Sequence, residues 1–317
     1  MQQNISLNKI PSNIWGLGLE WSQKTILEAG PGETITFSPN YDDPCTLSQA
    51  DGSKFDFFRK SFLTVSDAIN EKVGSDLGIQ LGLPFAAIQF INAEKDPDPS
   101  RQRCFIQAAS LKGSADAQDF DAYSENNPMG WRRAETFLSQ FKQSFSASLA
   151  ALFWCSNTPD INSVNICFMK EANGIYFIDF SGNTCIDDRP PYQEAPFKKD
   201  DYFECVPGGA LDFWKEAISC DHVRYMQGDK IFDRQAFDQM AEIIADQPEH
   251  LIISTVQRAQ NDVIAIMERD GFSPEQANVN IDVYCAELAK ALLKRQKQLP
   301  EIAHRSIGPR HYPLAVP

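Results

Sequence analysis

The stretch that decides the fold runs from Lys54 to Ile91, with the sequence KFDFFRKSFLTVSDAINEKVGSDLGIQLGLPFAAIQFI. It opens with KFDFFRK, a run typical of a strand. From Val65 to Leu83 apolar residues recur every four positions, which predicts a helix with one apolar stripe formed by Ile69, Val73, Leu77 and Leu81. Gly82 and Pro84 end this helix, and FAAIQFI predicts an extended segment after it. The stretch therefore predicts a strand, a helix and a further strand.

The segments on either side of this stretch also predict strands. ETITF is short and alternating, and CTLSQ is separated from KFDFFRK by Asp51-Gly52, the dipeptide that best supports a tight hairpin turn. After FAAIQFI, the charged and proline-containing run EKDPDPSRQR predicts a loop, and CFIQAASL predicts a strand. Residues 33–110 are therefore expected to form mainly strands, with one helix inserted among them.

Beyond residue 110 the pattern changes from strands to helices. Residues 113–130 are polar, which is typical of a connecting segment. Apolar residues then keep helical spacing from Ala134 to Phe153, for about five turns. A short hairpin of NICFMK and IYFIDF, turned at Asn173-Gly174, separates this helix from a helical tail over residues 232–303. The order is that of an α+β protein with a division near residue 113.

Composition and charge exclude several classes of protein. The chain has 317 residues and is 43% apolar, which is enough for a large core. No run approaches the roughly 18 apolar residues of a membrane span, and the first residues do not resemble a secretory signal. The net charge of −14 disfavours a nucleic-acid partner, because such binding depends on clustered Lys and Arg. The eight cysteines form no CxxC pair, which favours a reducing, cytoplasmic compartment over zinc or a disulfide framework.

Three polar residues near the predicted hairpin fit the needs of phosphoryl transfer. That reaction requires a carboxylate near the acceptor hydroxyl and oxygen ligands for Mg²⁺. Asn165 follows Asp160 by five positions, the spacing of a kinase catalytic loop. Asp179 ends the apolar run IYFI and precedes Phe180-Ser181-Gly182, where a kinase has its Asp-Phe-Gly. Turns and helix caps also use Asp and Asn, so the spacing alone leaves a structural role open.

The cation for the phosphates would come from the strand-rich part. Lys60 ends the strand FDFFRK, and Glu71 lies on the following helix. Such a pair holds the lysine of a kinase against the ATP phosphates. Lys54 on the same strand is an alternative to Lys60, Arg59 complicates the register, and either charge could instead be a solvated surface residue. We favour Lys60.

The order of these segments resembles that of the HipA-like kinases, and more distantly that of the phosphoinositide kinases of the same protein kinase-like superfamily. The resemblance extends over about residues 40–305 and depends on order and spacing more than on identity. The segments that resemble the family are PCTL through Asp51-Gly52 to FFRK, NEKVGSDLGIQLGLPFAAIQF, LFWCSNTPDINSVNICF, GIYFIDFSGNT and ELAKALLKRQKQLPEIA.

The resemblance implies a two-lobed protein kinase-like fold. Residues 1–112 would form a small strand-rich N-lobe, and residues 113–317 a helical C-lobe. It also implies an ATP-dependent phosphotransferase that uses Mg²⁺ or Mn²⁺, with ATP between the lobes. The favoured acceptor is a protein Ser or Thr hydroxyl.

The resemblance further assigns roles to individual residues. Lys60 would bind the phosphates, and Glu71 would anchor it. Asp160 would be the catalytic base. Asn165 and Asp179 would hold the metal.

The resemblance also implies where the purine lies. The adenine would contact the strand CFIQAASL, with backbone groups near Ala109 to Leu111 as hydrogen-bond partners. A glycine-rich phosphate loop is not evident, because Gly30-Pro31-Gly32 offers only two glycines and is more typical of a turn.

Three departures from the kinase pattern leave the acceptor open. Thr158-Pro159 stands where kinases commonly have His-Arg, Asn162 where many protein kinases have a lysine, and Ser181 where a glycine is usual. The alternatives to a protein acceptor are a lipid, an inositol or another small-molecule hydroxyl, transfer of AMP, or a catalytically silent kinase fold that binds a partner. The chain would act in its own cytoplasm or in that of a cell into which it is delivered.

Overall fold

The computed structural model describes residues 26–38, 44–62, 65–91, 106–110, 117–119, 139–155, 166–169, 174–178, 180, 232–269, 271, 273 and 280–306. In these ranges the elements are β1 (Ile26–Leu27), β2 (Thr34–Thr36), β3 (Cys45–Ser48), β4 (Lys54–Phe62), α1 (Val65–Gln80), β5 (Ile88–Ile91), β6 (Ile106–Ser110), β7 (Ala117–Asp119), a 3₁₀ turn (Ser139–Phe141), α2 (Lys142–Cys155), β8 (Ile166–Met169), β9 (Gly174–Phe177), α3 (Arg234–Ala245), α4 (Glu249–Arg269) and α5 (Ile281–Ser306). The mixed α and β content that the sequence predicts is confirmed.

The first sheet contains six strands in the order β2-β3-β4-β6-β5-β1. Neighbouring strands are antiparallel except β1 and β5, which are parallel. The predicted hairpin of β3 and β4 is confirmed, and its Gly52 has a φ of 86°, which glycine adopts without strain. Hydrogen bonds from the Ser53 hydroxyl and amide lower the pKa of Asp51, so an ionised carboxylate helps to fix the turn.

The two faces of the first sheet bury different clusters. Side chains alternate along a strand, so Phe62 on β4 and Phe90 on β5 contact the helical core on what we call the helix face. The opposite, second face buries a cluster of Leu27, Cys45, Leu47, Phe57, Ala87, Ile91 and Ala109. Lys60 is two residues from Phe62 and therefore lies on the helix face.

Helix α1 is buried on nearly every side. It begins at Val65 and ends at Gln80, just before Gly82, as the sequence predicts. Ile69, Val73 and Leu77 of the predicted stripe are buried, whereas Leu81 lies just beyond the helix and is half-buried. Most polar residues around the rest of the helix are buried as well. These polar residues are buried because α1 packs against the first sheet and also against α2, α4 and α5 in the tertiary structure. The helix thus lies at the centre of the described structure.

The second sheet has three strands in the order β7-β8-β9. The predicted hairpin of β8 and β9 is confirmed as antiparallel. Strand β9 also contacts the segment between α1 and β5: Phe177 N–H donates to Pro84 O at 2.8 Å, and Ala86 N–H donates to Phe177 O at 2.9 Å. The described strands of the first sheet precede residue 112 and those of the second follow residue 113. A division into two lobes at that point remains a prediction.

The helices after the first sheet follow the predicted order. The described part of the predicted long helix begins as the 3₁₀ turn and continues as α2, while residues 134–138 lie outside the described ranges. The predicted helical tail consists of α3, α4 and α5. Asp233 caps α3 by accepting a hydrogen bond from Ala236 N–H. None of the helices in the described ranges is long and apolar enough to cross a membrane.

Candidate active site

A partly buried ion pair joins the first sheet to α1. Lys60 Nζ on β4 donates to Glu71 Oε2 on α1 at 2.8 Å. The Glu71 side chain is only 1% exposed, whereas that of Lys60 is 25% exposed. The Lys60 ammonium also lies 5.5 Å from the centroid of the Phe62 ring, which favours its positive charge. The carboxylate is thus enclosed, while the lysine side chain remains accessible to solvent.

The structure distinguishes Lys60 from the other basic residues of β4. Lys54 is the first residue of the strand and is exposed. Six residues of extended chain, about 20 Å, separate it from Lys60. Arg59 is buried and points to the second face, where it donates to Ser38 O at 2.8 Å. Lys60 is therefore the basic residue of β4 that pairs with Glu71.

Phe180, the residue directly after Asp179, packs on the same helix. Its ring stacks on Phe85 with 4.7 Å between the ring centroids. Its Cβ lies so close to Gly74 that a Cβ added at position 74 would be 2.8 Å away. Gly74 follows Glu71 by three residues, so the two positions share a face of α1. Phe180 therefore contacts α1 within one turn of Glu71.

Gly74→Ala is expected to lower the free energy of unfolding by about 1 kcal/mol. Alanine stabilises a helix interior by about 1 kcal/mol relative to glycine. Overpacking a core costs about 1–3 kcal/mol, and the buried Phe180 leaves no room for a methyl group. Chemical denaturation of wild type and variant measures the difference. A gain in stability would show that Phe180 does not pack against this position.

Several predicted site residues lie outside the described ranges: Asp160, Asn165, Asp179 and Leu111. The elements next to them are described. Asn165 directly precedes Ile166, the first residue of β8, and Asp179 follows Phe177, the last residue of β9, by two residues. Ile166 and Phe177 are register partners. The two predicted metal ligands therefore adjoin the same end of one hairpin.

The structure corrects the prediction for Ala109. Strand β6 is interior and pairs with β4 on one side and β5 on the other, so the backbone groups of Ala109 face other strands rather than a ligand. Its side chain lies in the second-face cluster, and the register partner of Lys60 is Ala108. The reason is that β6 continues through Ser110. Leu111 is the first residue beyond the strand, and its role remains a prediction.

The Gly30-Pro31-Gly32 segment is a turn, as the sequence predicts. Glu33 N–H donates to Gly30 O at 3.0 Å, and Gly32 has a φ of 79°. Gly30 N–H donates to the Glu33 carboxylate at 2.9 Å. A carboxylate on this amide would repel a phosphate, so the turn is not suited to bind one.

Two buried polar contacts of α1 are not predicted by the sequence analysis. Lys72 Nζ donates to Asp76 Oδ1 and to Ile88 O, each at 2.9 Å, and both charged side chains are 0% exposed. The four-residue spacing of Lys72 and Asp76 is a local signal for an ion pair, but burial of that pair depends on the tertiary fold. Tyr284 on α5 donates from its hydroxyl to Asn70 Oδ1 at 2.8 Å. This second contact has no local signal.

The buried thiol next to Tyr284 is not suited to nucleophilic catalysis. Burial, together with the Asp282 carboxylate, raises the pKa of Cys285 to about 12. The thiol therefore stays protonated near neutral pH, and only a thiolate is a good nucleophile or metal ligand. Within the described ranges, no group of three or more His, Cys, Asp or Glu residues could hold a metal ion.

Comparisons with known proteins do not assign the chain to a family. No protein-family model matches it, and neither does any curated protein. Its function is therefore inferred from the geometry of the candidate site.

Proposed function

We propose that the chain is an ATP-dependent phosphotransferase of the HipA-like kinase type that acts on a protein Ser or Thr hydroxyl. The proposal rests on the ion pair between Lys60 and Glu71. In kinases, a lysine on a strand is held against the ATP phosphates by a glutamate of the following helix. The enclosed carboxylate and the partly exposed lysine suit that role, because the lysine has to reach a ligand while its anchor does not.

The order of the elements supports a two-lobed kinase fold. Strands β2, β3 and β4 form an antiparallel meander, so Lys60 lies on its third strand, as the phosphate-binding lysine of kinases does. Helix α1 and strands β5 and β6 follow, and the hairpin and the remaining helices come later. Residues 1–112 would then be the N-lobe and residues 113–317 the C-lobe.

The remaining roles would belong to residues next to hairpin β8–β9. Asp160 would accept the proton of the acceptor hydroxyl, and Asn165 and Asp179 would hold Mg²⁺ or Mn²⁺ through oxygen atoms, which these ions prefer. The bound metal would neutralise negative charge that develops during transfer. The contact of Phe180 with α1 supports this assignment, because it fixes the residue after Asp179 within one turn of Glu71.

Transfer from labelled ATP tests the proposal. The purified chain is incubated with Mg²⁺ or Mn²⁺ and ATP labelled at the γ or the α phosphate, with a generic acceptor protein, lipid vesicles or inositol in parallel reactions. Label from the γ position on protein supports a protein kinase, the same label on lipid or inositol supports that alternative acceptor, and α label indicates AMP transfer. ATP binding without transfer would indicate a silent binding module. A chain that neither binds ATP nor transfers phosphate from it would contradict the proposal.

Lys60→Ala is expected to slow transfer by about 10²-fold, the effect of losing one preorganised group that stabilises charge. The variant should stay folded but lose some stability, because the Glu71 carboxylate, only 1% exposed, loses an ion-pair partner, so transfer is compared per folded molecule. Lys54→Ala is the matched control, since it removes the same charge from the same strand, and its transfer rate should equal that of wild type. If Lys54→Ala loses transfer and Lys60→Ala does not, the phosphate-binding lysine is Lys54 and Glu71 is not its partner.

A further inference from the structure

We infer that Tyr284 is a positioning residue for Glu71, an inference that rests on the proposed function. Asn70 directly precedes Glu71 on α1. The Tyr284 hydroxyl donates to Asn70 Oδ1 at 2.8 Å, and Tyr284 is 0% exposed. The residue next to the anchor of Lys60 is therefore tied directly to the carboxy-terminal helix α5.

Burial makes this hydrogen bond costly to lose. Asn70 is 8% exposed, and its Nδ2 has no hydrogen-bond partner among the described residues. If the Tyr284 hydroxyl is removed, Asn70 Oδ1 loses a buried donor, and a buried acceptor without a donor is strongly disfavoured. The amide can regain water only if α1 moves away from α5. Such a movement would displace Glu71 and weaken its hold on Lys60.

A second contact of α1 with the carboxy-terminal helices provides a matched control. Gln80 Nε2, on the last residue of α1, donates to Thr255 Oγ1 on α4 at 3.1 Å. Thr255 is also fully buried. Gln80 is nine residues beyond Glu71, or about 14 Å along the helix. Loss of this hydroxyl would loosen the end of α1 without disturbing the turn that carries Glu71.

The test compares Tyr284→Phe with Thr255→Val, since each removes one hydroxyl and keeps most of the side-chain shape. For Tyr284→Phe we expect kcat for γ-phosphate transfer to fall about tenfold, equivalent to about 1.4 kcal/mol, with little change in the KM for ATP. Hydrogen exchange of the α1 amides around Asn70 should become faster. For Thr255→Val we expect a lower thermal midpoint and an unchanged kcat.

The outcomes separate this inference from the proposed function. If wild type transfers γ-phosphate and Tyr284→Phe keeps the wild-type kcat, the inference is wrong and the proposed function stands. An equal loss of kcat in Tyr284→Phe and Thr255→Val also overturns the inference, because the rate would then depend on how firmly α1 is held as a whole and not on the position of Glu71. A wild-type chain that transfers no γ-phosphate would refute the proposed function, and this inference with it.

A double variant keeps the test decisive if Tyr284→Phe folds poorly. Asn70→Leu combined with Tyr284→Phe removes both polar partners, and replacement of both by apolar groups is often nearly neutral. The double variant should therefore fold and regain most of the wild-type kcat. A folded double variant that stays as slow as Tyr284→Phe would mean that the hydroxyl does not act by holding α1, and would overturn the inference.

Discussion

Asp179→Ala is expected to abolish metal-dependent ATP binding and to slow phosphate transfer by roughly 10³-fold or more, because a catalytic metal contributes several kcal/mol and each 1.36 kcal/mol is tenfold in rate. Buried residues lie on both sides of Asp179 along the chain. Strand β9, which is fully buried, ends two residues before it, and Phe180 packs on α1 directly after it. A hard oxygen ligand on rigid backbone is what a phosphate bridged by Mg²⁺ requires.

A thermal-shift titration with ATP and Mg²⁺ or Mn²⁺ measures this effect. Without metal, Asp179→Ala should leave the thermal midpoint unchanged or slightly raised, because oxygen-rich groups that face one site repel each other until a cation binds. With ATP and metal, the shift seen in wild type should disappear. Asp187→Ala removes the same charge eight residues further along and should keep the shift. An equal shift in Asp179→Ala and wild type would make Asp179 a structural cap.

The parts of the fold that the sequence predicts correctly depend on local chemistry. Gly52 and Gly82 both adopt positive φ angles, which is why they mark a hairpin turn and the end of α1 so clearly. The four-residue recurrence from Ile69 onwards predicts the helix for the same local reason. The parallel pairing of β1 with β5 and the contact of β9 with residues 84–86 join distant segments, and no local pattern encodes them.

The candidate site shows the same distinction between local and long-range information. The pairing of Lys60 with Glu71 could be predicted because residue type and element order restrict the choice. The prediction for Ala109 failed because it needed the length and the neighbours of β6, which continues through Ser110 between β4 and β5 and so leaves the Ala109 backbone facing other strands. Asn70 and Tyr284 are 214 residues apart, so their contact required the tertiary structure.

Exposure separates the two lysines that pair with carboxylates of α1. Lys60 is partly exposed, so its charge can meet a ligand, whereas Lys72 and Asp76 are both fully enclosed. Charges without access to water cannot bind a phosphate from solution. The pair of Lys72 and Asp76 is therefore structural. Loss of Lys72 should mainly reduce stability, whereas loss of Lys60 should mainly reduce phosphate transfer.

Lys72→Met is expected to lower the free energy of unfolding by about 3–5 kcal/mol, because the buried Asp76 carboxylate would lose the Lys72 ammonium that neutralises it. Lys72→Met with Asp76→Leu should recover most of this loss, since apolar groups of similar volume often replace a buried ion pair at little cost. Chemical denaturation measures both variants, and γ-phosphate transfer is measured per folded molecule. The double variant should transfer phosphate at nearly the wild-type rate, unlike Lys60→Ala. A stable Lys72→Met variant that has lost transfer would instead make Lys72 the phosphate-binding lysine and refute the role of Lys60.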